Sequence, residues 1–163
     1  YLFFPGGGGQ RCLDVNGVQT CSLPILHICL GNYEGPHTHD IRLKKILPII
    51  LKAKVKYLLI ESSNPRHSHE WKIFGDIKLP HDKVLIPGLI DSTSNFVEHP
   101  EVVADRLIQF STVVPKDQLM AGTDCGFSTF AGFGKIDENI CYEKLHALVQ
   151  GTKIGRASCR ERV

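Results

Sequence analysis

Four side chains of metal-binding types stand out in the sequence, and they are His27, Cys29, Glu61 and Cys125. A single residue separates His27 from Cys29 within an apolar run. Because side chains alternate between the two faces of a β-strand, a His-x-Cys pair on a strand directs both side chains to one face. One imidazole nitrogen, two sulfurs and one carboxylate oxygen suit a tetrahedral zinc site. The residues predict such a site if the strands that carry them are adjacent.

Each of these residues also has a simpler interpretation. Free cysteine is often a small buried hydrophobe, so Cys29 and Cys125 can belong to the core. His27 can be a core histidine with satisfied hydrogen bonds, and Glu61 a strand-end carboxylate paired with Arg66. The four residues also lie too far apart in the sequence to match a short zinc-finger motif. The residue types alone leave both interpretations open.

Four apolar runs must position these side chains, and they cover residues 26–30, 57–61, 83–91 and 118–122. Each run is nearly continuous in apolar residues, which is typical of strands buried on both faces of a parallel sheet. The polar residues Glu61 and Asp91 end the second and third runs, and Asp124 with Cys125 follows the fourth. In parallel α/β folds, ligands bind at the carboxyl ends of the strands. The predicted site therefore lies at one end of the sheet.

Helical patterns follow the strands, and they cover part of 40–54, 99–112 and 138–149. Pro48 either lies near the start of the first helix or kinks it. Pro100 suits the first turn of the second helix, and Gly151 is expected to end the third. Strand and helix in repetition predict parallel βα units in one domain, either a doubly wound sheet or part of a (β/α)₈ barrel. A complete barrel takes about 250 residues, so the barrel interpretation means about four of its βα units.

Composition narrows the class of partner. The 163 residues carry a formal charge of +2 without a long run of one sign, which excludes a nucleic-acid-binding tail and a polybasic membrane patch. No window of about 18 apolar residues predicts a membrane span. Six irregularly spaced cysteines fit reduced thiols, so we expect a cytoplasmic protein that acts on small molecules.

Both ends of the chain resemble foreign sequence. Residues 153–163 read like a translated sequencing adapter, and residues 17–25 resemble the opposite adapter apart from Ser22. We therefore expect residues 1–25 to be an artefactual or disordered head, residues 26–152 to be a partial catalytic barrel, and the tail from 153 to be adapter-derived. The alternative is a natural glycine-rich head and a natural basic tail. In either case neither end is expected to have a packed role.

Four segments together resemble a known family, and they read HICLGNYEGPHTHD, ESSNPRHSHEW, PGLIDSTSNFVEHPEVVADR and AGTDCGFSTFAG. In this order they are similar to the C-terminal catalytic barrel of cobalamin-independent methionine synthase and its short single-domain relatives. That family holds zinc with a His-x-Cys pair, a glutamate on the next strand and the cysteine of an Asp-Cys-Gly motif. The resemblance implies the C-terminal half of a TIM barrel, with Zn²⁺ on His27, Cys29, Glu61 and Cys125.

The resemblance also implies a reaction. Zinc in this family binds the sulfur of a thiol substrate and lowers its pKa, so that a thiolate attacks an electrophilic carbon. In methionine synthase the thiol is homocysteine and the methyl donor is a polyglutamylated methyltetrahydrofolate. The expected activity is therefore zinc-dependent S-methyl transfer in methionine biosynthesis.

One motif departs from the family pattern. Methionine synthases of this family have Asp-Ile-His after the third of these strands, whereas this chain has Asp91, Ser92 and Thr93. Because threonine is no general acid near neutral pH, another histidine must donate the proton or the electrophile differs. We predict catalytic roles for Asp91 and His99. The other histidines considered as donors are His37, His39, His67 and His69.

Three further residues are predicted to face the substrate. His37 and His39 lie in the loop after the first strand, where they either contact substrate or are solvated. Asp124 is expected to face the substrate or to orient the neighbouring ligand Cys125.

Rival functions follow from the same resemblance. The missing histidine makes alkyl transfer to another thiol, as in an epoxyalkane-coenzyme M transferase, a serious rival. A third possibility is the function of the related uroporphyrinogen decarboxylases, which work without metal. The complete set of zinc ligands in this chain argues against it. A half barrel with two open sheet edges can also be inactive by itself.

Overall fold

The computed structural model describes residues 14–15, 18–19, 25–32, 35–128 and 136–160. Two short strands, β1 (Asp14–Val15) and β2 (Val18–Gln19), form an antiparallel pair. The main sheet contains β3 (Ile25–Ile28), β4 (Tyr57–Ile60), β5 (Val84–Ile90) and β6 (Gly122–Thr123). Its order is β3-β4-β5-β6, and all neighbouring pairs are parallel. The prediction of an α/β fold with four parallel βα units is confirmed.

The fourth predicted strand is shorter than its apolar run. Gln118 closes a 3-10 turn, and Leu119 makes only an isolated parallel bridge with Leu85. The register of β6 against β5 also shifts between Gly88 and Ile90. These irregularities confine the regular ladder to the two residues next to the predicted site, so the prediction of a strand over 118–122 is wrong in its first half.

The core lies between the sheet and its helices. Every residue of β5 from Leu85 to Ile90 is buried, as expected for a central strand covered on both faces. Helix α1 (Leu43–Ile50) contributes Leu43 and Leu47 to this core. Phe74 of the short helix α2 (Ile73–Asp76) packs against an aromatic ring of the following helix. The central strand β5 is therefore covered on both faces, whereas the edge strand β3 keeps Ile25 and His27 exposed.

Helix α3 (Pro100–Ser111) agrees with its prediction. Its N-cap is His99, and Pro100 stands in the first turn, where a missing N–H costs nothing. Of the two predictions for Pro48, a place near the helix start is wrong, because Pro48 lies inside α1. The side chain is exposed and the helix ends two residues later, which limits the loss to one hydrogen bond near the C-terminus.

Helix α4 (Glu138–Arg160) extends beyond the predicted stop at Gly151. A Cβ atom on Gly151 would lie 2.4 Å from the carbonyl oxygen of Pro100, and one on Gly155 would lie 3.2 Å from Leu107. Both glycines therefore allow α4 to approach α3 closely instead of ending the helix. The tail has a packed role here, contrary to expectation, while its adapter origin stays a prediction.

The predicted head falls largely outside the described residues. Ile25, which we assigned to the head, is the first residue of β3. No helix within the described part of the chain is long and apolar enough to cross a membrane.

Candidate metal centre

Three of the four predicted ligands lie together at the carboxyl end of the sheet. His27 belongs to β3, Cys29 follows it directly, and Cys125 follows β6. One ligand atom from each of these residues lies within 4.8 Å of the other two. The Sγ atom of Cys125 is 3.4 Å from Nε2 of His27. Among the described residues this is the one group of three or more potential ligands at such distances.

The position of this group shows how the sheet is curved. Strands β3 and β6 lie at opposite edges of a four-stranded sheet, and neighbouring strands are about 4.8 Å apart. In a flat sheet the outer strands would be separated by about 14 Å, which is three such spacings. The contact between His27 and Cys125 therefore requires a sheet that curls towards its inner face, as the wall of a barrel does.

Glu61 lies beside the group without belonging to it. Its backbone N–H continues the ladder by donating to Ile28 O, and its Oε2 accepts a hydrogen bond from Leu30 N at 2.8 Å. Arg66, the partner considered in the simpler interpretation, donates to the carbonyl of Thr38. The carboxylate therefore stands at the end of β4 and joins it to the end of β3.

Burial and neighbouring acidic groups dominate the electrostatics of the group. Burial, helped by the charges of Cys29 and Glu61 and opposed by the N–H of Gly126, raises the pKa of Cys125 to about 11. His27 keeps part of its surface exposed, yet surrounding protein atoms lower its pKa, with Glu61 acting in the opposite direction. A cation among these donors would compensate the negative charges and favour the thiolates. The residues present therefore fit a bound metal ion.

Asp124 is buried between two strand ends. Its Oδ1 accepts from Ser62 N at 2.9 Å and from Ser63 N at 2.8 Å, and its Oδ2 accepts from Asn64 N at 3.0 Å. Burial raises the pKa of this carboxyl to about 7, against the effect of the hydrogen bonds from Ser62 and Ser63. With 1% of its surface exposed, Asp124 positions the loop after β4. These contacts favour that role over the direct substrate contact predicted from the sequence.

Asp91 and His99 stand at the start and the end of the loop after β5. Oδ1 of Asp91 accepts hydrogen bonds from the N–H and the hydroxyl of Thr93 at 3.1 and 2.9 Å. Burial opposes ionisation of Asp91, but hydrogen bonds from Ser94 and Thr93 outweigh it and hold its pKa below the usual value. His99 caps α3, where its Nδ1 accepts from Glu101 N at 3.2 Å. Neither residue belongs to the ligand group.

The histidines after β3 and β4 form a network with two carboxylates. Oδ2 of Asp40 lies 2.8 Å from Nδ1 of His37 and 3.0 Å from Nε2 of His67. His67 also contacts Glu70 at 3.0 Å, and Glu70 accepts from Leu43 N at 2.8 Å at the start of α1. The hydrogen bond with His67 is the main cause that lowers the pKa of Asp40. The network joins the two loops and caps α1.

The two predicted substrate-binding histidines differ in their surroundings, because His37 belongs to this network and His39 is exposed. The side chain of His37 is only 9% exposed and turns to Asp40, so its contacts favour a structural role. His39 is exposed to solvent. Substrate contact stays a prediction for His39.

Sequence reasoning missed a buried ion pair next to Asp91. Lys144 of α4 is fully buried, and its Nζ donates to Oε2 of Glu98 at 2.9 Å. The other oxygen of Glu98 accepts from Asp91 N at 2.7 Å. Lys144 shares one helix face with Leu148 and Gly151, at spacings of four and seven residues, which is the signal that could have placed it inside.

Comparison with known proteins agrees with this arrangement. The family model for the catalytic domain of cobalamin-independent synthase matches residues 27–147. A 2-hydroxypropyl-CoM lyase from Xanthobacter autotrophicus is 29% identical over 88% of this chain and 43% of its own length. A methionine synthase from Saccharolobus solfataricus is 24% identical over 85% of this chain and 36% of its length. The chain thus spans less than half the length of these curated relatives.

Two further matches concern methionine synthases. A 5-methyltetrahydropteroyltriglutamate–homocysteine methyltransferase from Pasteurella multocida is 31% identical over 72% of this chain and 14% of its length. The solved structure of a B12-independent methionine synthase from Shewanella sp. in complex with selenomethionine superposes with a TM-score of 0.62 at 24% identity. The superposition covers 84% of this chain and 39% of the Shewanella protein, which supports a partial TIM barrel. The chain belongs to the family of cobalamin-independent methionine synthase catalytic domains.

Proposed function

We propose that this chain carries the zinc site of an enzyme that transfers a methyl or other alkyl group to a thiol. The observation that supports it most directly is the convergence of His27, Cys29 and Cys125 at the carboxyl end of the sheet. One nitrogen and two sulfurs suit zinc better than magnesium or calcium, which prefer oxygen ligands. Glu61 is the proposed fourth ligand, since a carboxylate can keep the bond from Leu30 N through one oxygen and offer the other.

The residues around the site have separate proposed tasks. Zinc, when bound, lowers the pKa of a thiol substrate so that its thiolate is available near neutral pH. Asp91 is the proposed catalytic carboxylate. Its lowered pKa keeps it ionised, so that it can accept a hydrogen bond or a proton. His99 is the proposed proton donor; its ring would donate from Nε2 in the protonated imidazolium form, in which Nδ1 gives up the hydrogen bond that it accepts from Glu101 N. The buried carboxylate of Asp124 is proposed to hold the ends of β4 and β6 in place.

Methyl transfer to homocysteine is the first candidate reaction. Four relatives carry the names methionine synthase or homocysteine methyltransferase, and the donor would be a methyltetrahydrofolate. The proposed partners are therefore a small thiol and an alkyl donor. Reduced cysteines at the centre fit a cytoplasmic location.

Alkyl transfer to another thiol is the second candidate, and one observation favours it. The Thr93 hydroxyl donates to Asp91, so this position holds neither an imidazole nor another acid near neutral pH. One relative is named for a lyase that acts on a thioether of coenzyme M. Attack of coenzyme M on an electrophilic carbon is the reverse of such a cleavage.

The first test is the zinc content of the chain and two variants. After purification with zinc and desalting, elemental analysis should give about one zinc per folded chain, the number that a single tetrahedral site holds. Cys125→Ser should lose most of it. Cys141→Ser is the matched control, because Cys141 is also partly buried but lies outside the ligand group. A folded wild-type chain without zinc would sink the proposal.

Cobalt substitution separates the two candidate thiols. Co²⁺ occupies tetrahedral zinc sites, and a thiolate that joins its ligands adds charge-transfer absorption in the near ultraviolet. Titration with homocysteine and with coenzyme M compares their affinities for the same centre. Tighter binding of homocysteine supports methionine synthesis, and tighter binding of coenzyme M supports the alternative.

A further inference from the structure

Asn32 lies in an unusual turn, three residues after the proposed ligand Cys29. Gly31 has φ of 104° and Asn32 has φ of 45°, so two consecutive residues adopt left-handed backbone conformations. Residues other than glycine rarely adopt this region, although asparagine is among those that tolerate it best.

The side chain of Asn32 joins three loops. Its Nδ2 donates to the carbonyl of Gly126 at 3.0 Å, and its Oδ1 accepts from the hydroxyl of Ser92 at 2.9 Å. These partners are 94 and 60 residues away in the sequence. They follow β6 and β5, while Asn32 follows β3. A single amide therefore spans the two edges of the curled sheet at its carboxyl end.

This span lies next to both sulfur donors. Cys29 precedes Asn32 by three positions, and Cys125 is the neighbour of Gly126. The strands that carry the two cysteines are not neighbours in the sheet, so no ladder hydrogen bond fixes the distance between them. A side-chain contact across the mouth of the sheet can fix that distance instead.

We propose that Asn32 is a positioning residue that holds Cys29 and Cys125 at metal-binding distance and links them through Ser92 to the turn of Asp91. The inference rests on the proposed function for its metal readout. A turn former alone would need no amide, because glycine adopts the same backbone without strain. Contacts at both ends of the amide assign the side chain a role of its own.

Three substitutions separate the backbone from the side chain. Asn32→Gly keeps the left-handed turn and removes both contacts. Asn32→Asp keeps the acceptor for Ser92 but replaces the donor that faces Gly126 O with a carboxylate oxygen. Ser92→Ala removes only the link to the loop after β5. Circular dichroism checks that each variant folds, and Asn32→Asp serves if the glycine variant does not.

The first measurement is zinc affinity by competition with a chromogenic chelator, together with the Co²⁺ spectrum. Asn32→Gly and Asn32→Asp should each bind zinc at least about tenfold more weakly, as loss of outer contacts around metal ligands typically does. Their thiolate-to-cobalt bands should shift or weaken. Ser92→Ala should stay within about twofold of wild type, because the tie between the two cysteine loops survives.

The second measurement needs no metal. In the apoprotein, oxidised glutathione can accept two electrons and two protons from Cys29 and Cys125, which leaves a disulfide and two molecules of glutathione. Peptide mapping at fixed glutathione ratios gives the equilibrium fraction of that disulfide, which reports how closely the thiols are held. It should fall at least about threefold in both Asn32 variants and stay unchanged in Ser92→Ala.

The two measurements distinguish the proposals. A wild-type chain that binds no metal sinks the zinc function, while the disulfide equilibrium still tests the placement of the cysteines by Asn32. Unchanged disulfide equilibria in the Asn32 variants overturn the inference, whatever happens to zinc affinity. If the wild type binds zinc, unchanged zinc affinity in the Asn32 variants overturns the inference as well.

Discussion

The carboxylate of Asp124 accepts a hydrogen bond from the backbone N–H of Ser62 at 2.9 Å. Asp124 precedes Cys125, and Ser62 follows Glu61, so this bond ties two proposed ligands through their chain neighbours. The strands concerned, β4 and β6, do not pair with each other. This hydrogen bond therefore holds the ends of β4 and β6 together at the metal centre, where no strand pairing does so.

Asp124→Asn should destabilise the chain and weaken metal binding. In the wild type both carboxylate oxygens accept hydrogen bonds from backbone N–H groups. The side-chain amide of asparagine would replace one of these oxygens with an N–H donor, and because the site is buried, no water can take over the lost hydrogen bond. We expect a loss of about 2 to 3 kcal/mol in the free energy of unfolding, measured by urea titration. Asp117→Asn on an exposed 3-10 turn is the matched control and should be neutral. Equal stability of both variants would contradict this account.

Gly88→Ala should be among the most damaging single-methyl additions. A Cβ at this position would lie 2.0 Å from Oδ1 of Asp124 and 2.6 Å from its Cα, so backbone as well as side chain would have to move. The expected loss of stability is about 3 kcal/mol or more. Gly75→Ala is the control, since its Cβ would meet only Val113 at 3.5 Å within a helix. That control should be neutral or slightly stabilising in thermal unfolding.

Lys144→Met should leave the buried carboxylate of Glu98 without its closest cation. Glu98 would keep its bond to Asp91 N and a longer contact with Arg106 at 3.9 Å, but it would lose the ammonium group, at a cost of about 3 kcal/mol. Adding Glu98→Gln removes the weakly compensated charge while an amide oxygen can still accept from Asp91 N. The double variant should therefore be more stable than Lys144→Met in urea unfolding. Additive losses in this double-mutant cycle would show that the two side chains are not coupled.

The sequence predicted those features that depend on local periodicity. Continuous apolar runs identified the buried strands, and alternation along β3 placed His27 and Cys29 on one side. The carboxyl-end rule then predicted that Cys125 would meet them. Pro100 marked the start of α3 for an equally local reason, since proline suits the first turn of a helix.

Features that depend on distant partners escaped prediction. Gly151 has the local chemistry of a helix stop, and only the close approach of α3 shows why the helix continues. The contacts of Asn32 with Gly126 and of Asp40 with His67 join loops far apart in the sequence, so no spacing rule reveals them. Side chains near the centre were therefore predicted by residue type, and Asp124 by its place beside Cys125, whereas the positioning contacts of Asn32 were not predicted.

Stability in acid should depend on Asp40. Its folded pKa lies below the usual carboxyl value of about 3.9, chiefly because of the hydrogen bond with His67. A depressed carboxyl pKa contributes stability that is fully present above about pH 4 and is lost as pH falls through the lower folded value. Urea midpoints between about pH 6 and 2.5 should therefore fall less steeply in Asp40→Asn than in wild type. Asp76→Asn is the control, because Asp76 forms only an exposed pair with Lys44 at 3.4 Å, and its acid profile should follow wild type. Parallel acid profiles for Asp40→Asn and wild type would show that the network of Asp40 and His67 contributes nothing to folding.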